Sequence, residues 1–272
     1  MYAGCGDGNI LGIDIPKGAS GTIGMHNGLV KNLFLIEELQ IVVSVGNDKS
    51  IKLWDSRQGY KPIFEIKLLY KPLCADIFYP IMALGLEKDK SLVFDLKQTI
   101  ISNYLFQNSE EFIASPLNSI LTTVAIQPDK KKVILGAADG RIGQLNILDR
   151  SNSPSYQTKE TCNFKCHKVD VDGKVRYYSV NSMRFHQIYD FLLVTSGGDG
   201  VTYYWNINDK MKITNYQYNK VPITKTAFSP DGKVCAYALG YDWSEGIWGI
   251  KYGYPNQIYA HILQSTDVKS SS

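Results

Sequence analysis

Gly46-Asn47-Asp48-Lys49-Ser50-Ile51-Lys52-Leu53-Trp54-Asp55 is the stretch on which the fold turns. Its first half is a tight polar turn, because Gly, Asn and Asp tolerate positive φ or bond their own backbone. Its second half alternates, with Ile51 and Leu53 on one face and Lys52 on the other, which is the period of a strand. Four other segments share this design: GCGDGNILGID at 4–14, EKDKSLVFD at 87–95, AADGRIGQLN at 137–146 and GGDGVTYYWN at 197–206. Their turn aspartates, with Asp48 included, are Asp7, Asp48, Asp89, Asp139 and Asp199, at spacings of 41, 41, 50 and 60 residues. Asp242 opens a divergent sixth unit 43 residues after Asp199. Pro-Asp turns recur at Ser229-Pro230-Asp231-Gly232 and Gln127-Pro128-Asp129-Lys130.

A period near 40 with a Trp-Asp ending resembles the WD repeat, which implies four strands to a propeller blade. The expected fold is therefore all-β, a WD-repeat β-propeller of about six recognisable blades. Drawn from the turn spacing, these blades lie near 1–20, 21–60, 61–103, 104–156, 157–215 and 216–266, as one propeller over 1–266 followed by a polar tail, 267–272. Trp54 and Trp205 are expected to pack between blades. Ile13, Phe94 and Leu145 hold the same place in other units, a swap that a ligand site would not tolerate. Asp7 belongs to a turn between second and third strands, so the sequence opens in mid-blade and the first blade is incomplete. Three explanations are compatible with that start: a longer natural chain, an open propeller completed by a partner's strand, or closure with fewer blades.

Composition narrows the function. Across 272 residues, 44% are apolar and 20% charged, with a net charge of +3, which is no basic stripe of the kind nucleic acid demands. Lys130-Lys131-Lys132 reads as a solvated turn. The five cysteines, Cys5, Cys74, Cys162, Cys166 and Cys235, form no dense even framework, and a reducing compartment is expected. Cys162, Cys166 and His167 lie close together, yet no second Cys/His pair completes a zinc set, so no metal is expected. The sequence has no span apolar enough for a membrane helix, and its first residues carry no apolar signal core.

Catalytic signatures are wanting. Gly4-Cys5-Gly6-Asp7-Gly8 is glycine-rich but is the turn of a repeat and lacks dinucleotide-binding spacing. There is no Gly-x-Ser-x-Gly elbow or zincin motif. His26, His167, His186 and His261 are scattered among units, and His26 sits where a structural histidine bonds within a blade. The expectation is a scaffold: no enzyme, no cofactor and no small-molecule substrate.

Longer segments carry a resemblance. Asn163-Phe164-Lys165-Cys166-His167-Lys168, Tyr178-Ser179-Val180-Asn181-Ser182-Met183-Arg184-Phe185-His186 and Gly136-Ala137-Ala138-Asp139-Gly140-Arg141-Ile142 are similar to segments shared by the Rae/Gle mRNA-export factors and the Bub-type checkpoint propellers. Cys74-Ala75-Asp76-Ile77-Phe78-Tyr79-Pro80 and Tyr241-Asp242-Trp243-Ser244-Glu245-Gly246 resemble the export branch in particular. That family has seven blades, so one N-terminal blade and part of the next have no counterpart here. The resemblance implies a protein-binding scaffold at the nuclear pore, in the nucleus and nuclear envelope with some in the cytoplasm. Its partner would be the GLEBS segment of a Gly-Leu-Phe-Gly nucleoporin, which orders on binding and presents glutamates to basic side chains. Carried over by position, the partner-binding candidates are Lys168 with its neighbour His167, and Lys212. Lys210 and Trp205 match the face used for further contacts, including weak, salt-dependent RNA binding. The family usually has Arg where Lys168 stands, so a bidentate fork is replaced by a point charge. The alternatives are a Bub-type checkpoint adaptor or an open coat propeller filled by a partner strand.

Overall fold

The computed structural model describes residues 1–55, 57, 60–150, 154–217 and 221–268. They fall into two compact units, Met1–Ala114 with Leu148–Thr158, and Ser115–Ile147 with Lys159–Ser272.

The first unit contains three antiparallel meanders. β1 (Tyr2–Gly4), β2 (Asn9–Asp14) and β3 (Ala19–Met25) make a three-stranded sheet. β4 (Val30–Ile36), β5 (Ile41–Gly46), β6 (Ser50–Asp55) and β7 (Phe64–Lys67) make a four-stranded one, as do β8 (Pro72–Phe78), β9 (Ile81–Leu86), β10 (Lys90–Asp95) and β11 (Ile113–Ala114). Asp95, the last residue of β10, caps the short helix α1 (Leu96–Ser102) by accepting from the Gln98 amide at 2.7 Å. Alternation along the strands decides the packing. Ile51 and Leu53 join a core with Val43, Val45, Met82, Leu84 and Phe94. Trp54, the next residue, faces the other way into a cluster with Ile10, Val30 and Val42. A Cβ on Gly24 would lie 2.3 Å from the Trp54 ring, so only glycine leaves room for the indole there. Both faces of β9 are covered and all six of its residues are buried, which is why it reads as a continuous apolar run.

In the second unit β12 (Leu121–Ile126), β13 (Lys132–Ala137), β14 (Arg141–Arg150) and β15 (Tyr156–Lys165) form one four-stranded sheet, whose segment 148–158 is counted with the first unit. A separate two-stranded ribbon follows, β16 (Lys168–Val171) and β17 (Lys174–Tyr177). β18 (Val180–Phe185), β19 (Leu192–Gly197), β20 (Val201–Asn206) and β21 (Met211–Gln217) make the next blade. β22 (Ile223–Phe228), β23 (Val234–Leu239) and β24 (Gln257–Ile262) make a three-stranded sheet, with a 3-10 segment at Gly246–Tyr252 between its last two strands. The alternation repeats: Leu193 and Trp205 enter one core with Ile134 and Met183, while Leu192, Val194 and Tyr204 enter another with Cys235.

Among the described residues six blade-like sheets thus carry the six turn aspartates. β3, β15 and β21 cross the boundaries drawn from the turn spacing at 20/21, 156/157 and 215/216. β7 and β11 lie beyond those drawn at 60/61 and 103/104 while pairing with the preceding blade. The turn marks the middle of a blade, and no local signal marks where an outer strand stops. The expected polar tail opens on α2 (Ser265–Val268), where buried Asp267 accepts from His261 Nε2 and from the Gln264 amide, both at 2.8 Å. Residues 269–272 of that tail lie outside the described residues. Among the described residues no helix is long and apolar enough to cross a membrane.

Candidate functional site

Two blades contain the same buried polar frame. In the first, His26 Nδ1 meets both oxygens of Asp48, at 2.9 and 3.0 Å, and Nε2 meets Ser44 Oγ at 2.7 Å. Trp54 Nε1 donates to that same Ser44 Oγ at 2.8 Å. Asp48 also accepts from the Asn27 amide at 2.9 Å and from Ser50 Oγ at 2.7 Å. Burial lowers the pKa of His26 more than its bonds to Asp48 raise it. His26 is therefore neutral at pH 7: Nδ1–H donates to the carboxylate and Nε2 accepts from the Ser44 hydroxyl. Burial would raise the pKa of Asp48, but hydrogen bonds from Ser50, Asn27 and His26 outweigh it and lower it.

The second frame repeats this with other residues. His167 Nδ1 meets Asp199 Oδ1 at 2.8 Å, Nε2 meets Thr195 Oγ1 at 3.2 Å, and Trp205 Nε1 donates to Thr195 Oγ1 at 3.0 Å. Both ion-pair side chains are fully buried. Burial disfavours the imidazolium, yet the adjoining Cys166 sulfur and the Asp199 carboxylate outweigh that and raise the His167 pKa to about 10. Among the described residues, Asp48 and Asp199 are the turn aspartates that bond a histidine, and they belong to the two blades whose third strand, β6 or β20, carries a Trp. Asp139 instead holds Arg141, and Asp242 accepts from Asn181.

The structure divides the partner-binding candidates. His167 and Trp205 are held together by Thr195 inside the blade, with His167 0% and Trp205 9% exposed. Their ring nitrogens are committed to the frame, so they set positions for their neighbours. Lys168 leaves that frame straight into solvent as the first residue of β16. The His167 carbonyl accepts from the Tyr178 amide at 3.0 Å, which closes the base of the ribbon and fixes where Lys168 emerges. Lys212 is exposed opposite Trp205, with Nζ 3.3 Å from Asn215 Oδ1 and 5.8 Å from the Tyr203 ring centroid. Lys210 sits in the turn after β20 with φ at 57°. Asp199, beside His167, precedes β20 and Lys210 follows it, so Lys168 and Lys210 are separated by the strand's length, roughly 17 Å. One cation at each end of a blade cannot serve a single carboxylate.

Sequence reasoning passed over the ribbon itself. Asp172 and Gly173 have φ of 53° and 74°, a two-residue turn of the type that suits hairpins, flanked by alternating valines. Asp-Gly between such runs was a usable signal. His26 and Asp48 are 22 residues apart, and His167 and Asp199 are 32 apart; the inserted ribbon makes the difference. Among the described residues no group of three or more His, Cys, Asp or Glu side chains could hold a metal ion.

No family model matches the chain. Protein Rae1 of Drosophila melanogaster is 30% identical over 231 residues, 82% of this chain and 62% of that protein. The chain resembles the Rae/Gle-type export propellers. The Poly(A)+ RNA export protein of Schizosaccharomyces pombe is 25% identical over 259 residues, covering 94% of this chain and 69% of that protein. The chain spans under two thirds of the Drosophila protein's length. A chain in the crystal structure of a mitotic checkpoint complex superposes with a TM-score of 0.64 at 12% identity, over 86% of this chain and 65% of that one, a likeness of fold.

Proposed function

We propose that this chain is a non-catalytic adaptor in mRNA export that holds a GLEBS-type acidic segment of a Gly-Leu-Phe-Gly nucleoporin at the nuclear pore. One observation carries this reading: Lys168 is exposed, has no ion-pair partner among the described residues, and is rooted on a fully buried His–Asp frame. A cation so placed loses little orientational freedom on meeting a carboxylate. The names of the relatives, an RNA export protein among them, support the same reading. Lys212, near the other end of the blade, would meet a second part of a long segment. RNA contact would run through Lys210 and be weak and salt-dependent.

The size of the effect depends on desolvation. A pair left in water contributes about 0.2–1 kcal/mol, whereas removing one partner of a buried pair costs roughly 3–5 kcal/mol. If the segment covers Lys168, Lys168→Glu weakens binding by well over about tenfold, since each 1.4 kcal/mol is a factor of ten. Fluorescence polarisation with a labelled GLEBS peptide measures this directly. A change below about threefold, under 1 kcal/mol, would mean that Lys168 stays solvated and is not the anchor.

A further inference from the structure

The ribbon of β16 and β17 is anomalous in its own right. A two-stranded ribbon on its own is marginal in water, because it buries too little apolar surface. Here all four residues of β17 are exposed, including Val175 at 50% and Tyr177 at 44%. Among the described residues Lys168, Lys174 and Arg176 make no ion pair, and Lys165 has its Nζ 3.9 Å from the Tyr177 ring centroid. Four cations thus stand against two acidic residues, Asp170 and Asp172, within 165–177.

Register sorts these side chains. Lys168 pairs with Tyr177 and Asp170 with Val175, while Val169 pairs with Arg176 and Val171 with Lys174. Directly opposed residues share a face, so β17 carries Val175 and Tyr177 on one side and Lys174 and Arg176 on the other. The outer edge of β17 has no strand partner among the described residues. On the ribbon Val175 and Tyr177 share their face with Lys168 and Asp170 of β16. Along β17 itself, however, a free backbone edge has apolar side chains on one face and cations on the other, which fits one kind of occupant.

We infer that β17 docks an extended acidic peptide as a third strand, with carboxylates at alternate positions facing Lys174 and Arg176 and apolar side chains facing Val175 and Tyr177. This rests on the adaptor reading and adds to it the element and the side-chain pattern. β17 is favoured over the free edge of β16, since β16 starts on the buried frame and its Val169 is half-buried. Asp170 lies on the Val175 face, away from Lys174 and Arg176. A strand that confines its carboxylates to the other face avoids it while a phosphate backbone does not, so an acidic peptide fits better than RNA.

The test uses the full chain and a fluorescein-labelled octapeptide of alternating Glu and Val, read by fluorescence polarisation. Binding should fall at least about tenfold in the Lys174→Glu, Arg176→Glu double variant, and as much when the probe's alternate amides are N-methylated along one edge. Gly173→Val opposes the positive φ of the turn, touches no charge, and should weaken the probe at least about fivefold. Equal affinity for a block peptide of four Glu followed by four Val would overturn the strand model. So would tighter binding of an eight-nucleotide oligouridylate that displaces the acidic probe. If a GLEBS peptide binds through Lys168 and ignores the double variant, the adaptor reading survives and this inference fails. If the alternating probe binds through β17 while no GLEBS peptide binds at all, the reverse holds.

Discussion

Replacing Asp48 with alanine should destabilise the protein by about 2–4 kcal/mol, far more than the same change at Asp139, a turn aspartate with no buried histidine behind it. The carboxylate of Asp48 accepts from His26 Nδ1 at 2.9 Å, the Asn27 amide at 2.9 Å, and the Ser50 amide and hydroxyl at 3.2 and 2.7 Å. The His26 side chain is 0% exposed, so without Asp48 its Nδ1–H is buried with a weaker partner. An unpaired buried donor costs about 1–3 kcal/mol, and hydrogen bonds to a charged group contribute about 1.5–3 kcal/mol. Ser50 Oγ, 3.1 Å from His26 Nδ1, can take over part of the role and holds the sum below a full addition. The exposed amide of Asn27 finds water. Asp139→Ala is the control: its partner is Arg141, and the two side chains are 38% and 27% exposed, so the loss stays within about 1 kcal/mol. Urea unfolding followed by tryptophan fluorescence and circular dichroism reads both variants. With a slope of about 3 kcal/mol/M, the Asp48 midpoint should drop by about 1 M. Equal shifts for the two variants would show that the turn alone, and not the frame behind it, carries the stability.

Other outcomes follow from the same geometry. His26 and His167 should titrate in opposite directions from 6.5. Stability contributed by His167 is complete below pH 6.5 and is lost as pH rises toward about 10, while neutral burial of His26 costs stability as pH falls below 6.5. Imidazole NMR at pH 7.5 should therefore show neutral His26 and charged His167, and a His167 midpoint near 6.5 would refute the role given to Cys166 and Asp199. Gly197→Ala should lower stability by about 1–3 kcal/mol, because the new Cβ would sit 2.5 Å from His167 Nδ1 and 2.6 Å from the Ser179 carbonyl oxygen. Gly21→Ala, with nothing within 4 Å, is the matched strand control in thermal melts and should be near neutral.

Much of this was readable from residues alone. Turn aspartates at a period near 40 and the two-residue alternation of Ile51, Leu53 and their equivalents mark blades, because turns and strand faces are decided within ten residues of chain. The packing role of Trp54 and Trp205 followed from the apolar residues that replace them in other units. Asp172-Gly173 was equally local, and the ribbon could have been seen. Other features depend on contacts that sequence spacing does not reveal. That His26 meets Asp48 and His167 meets Asp199 depends on which strands the sheet brings side by side, whereas Asp139 meets Arg141 only two residues on. That Lys168 and Lys210 stand at opposite ends of a blade follows from the direction of β20. Local chemistry sets the turns and the strand period; only the folded sheet sets which side chains share a buried space, because those contacts close loops of 22 to 32 residues.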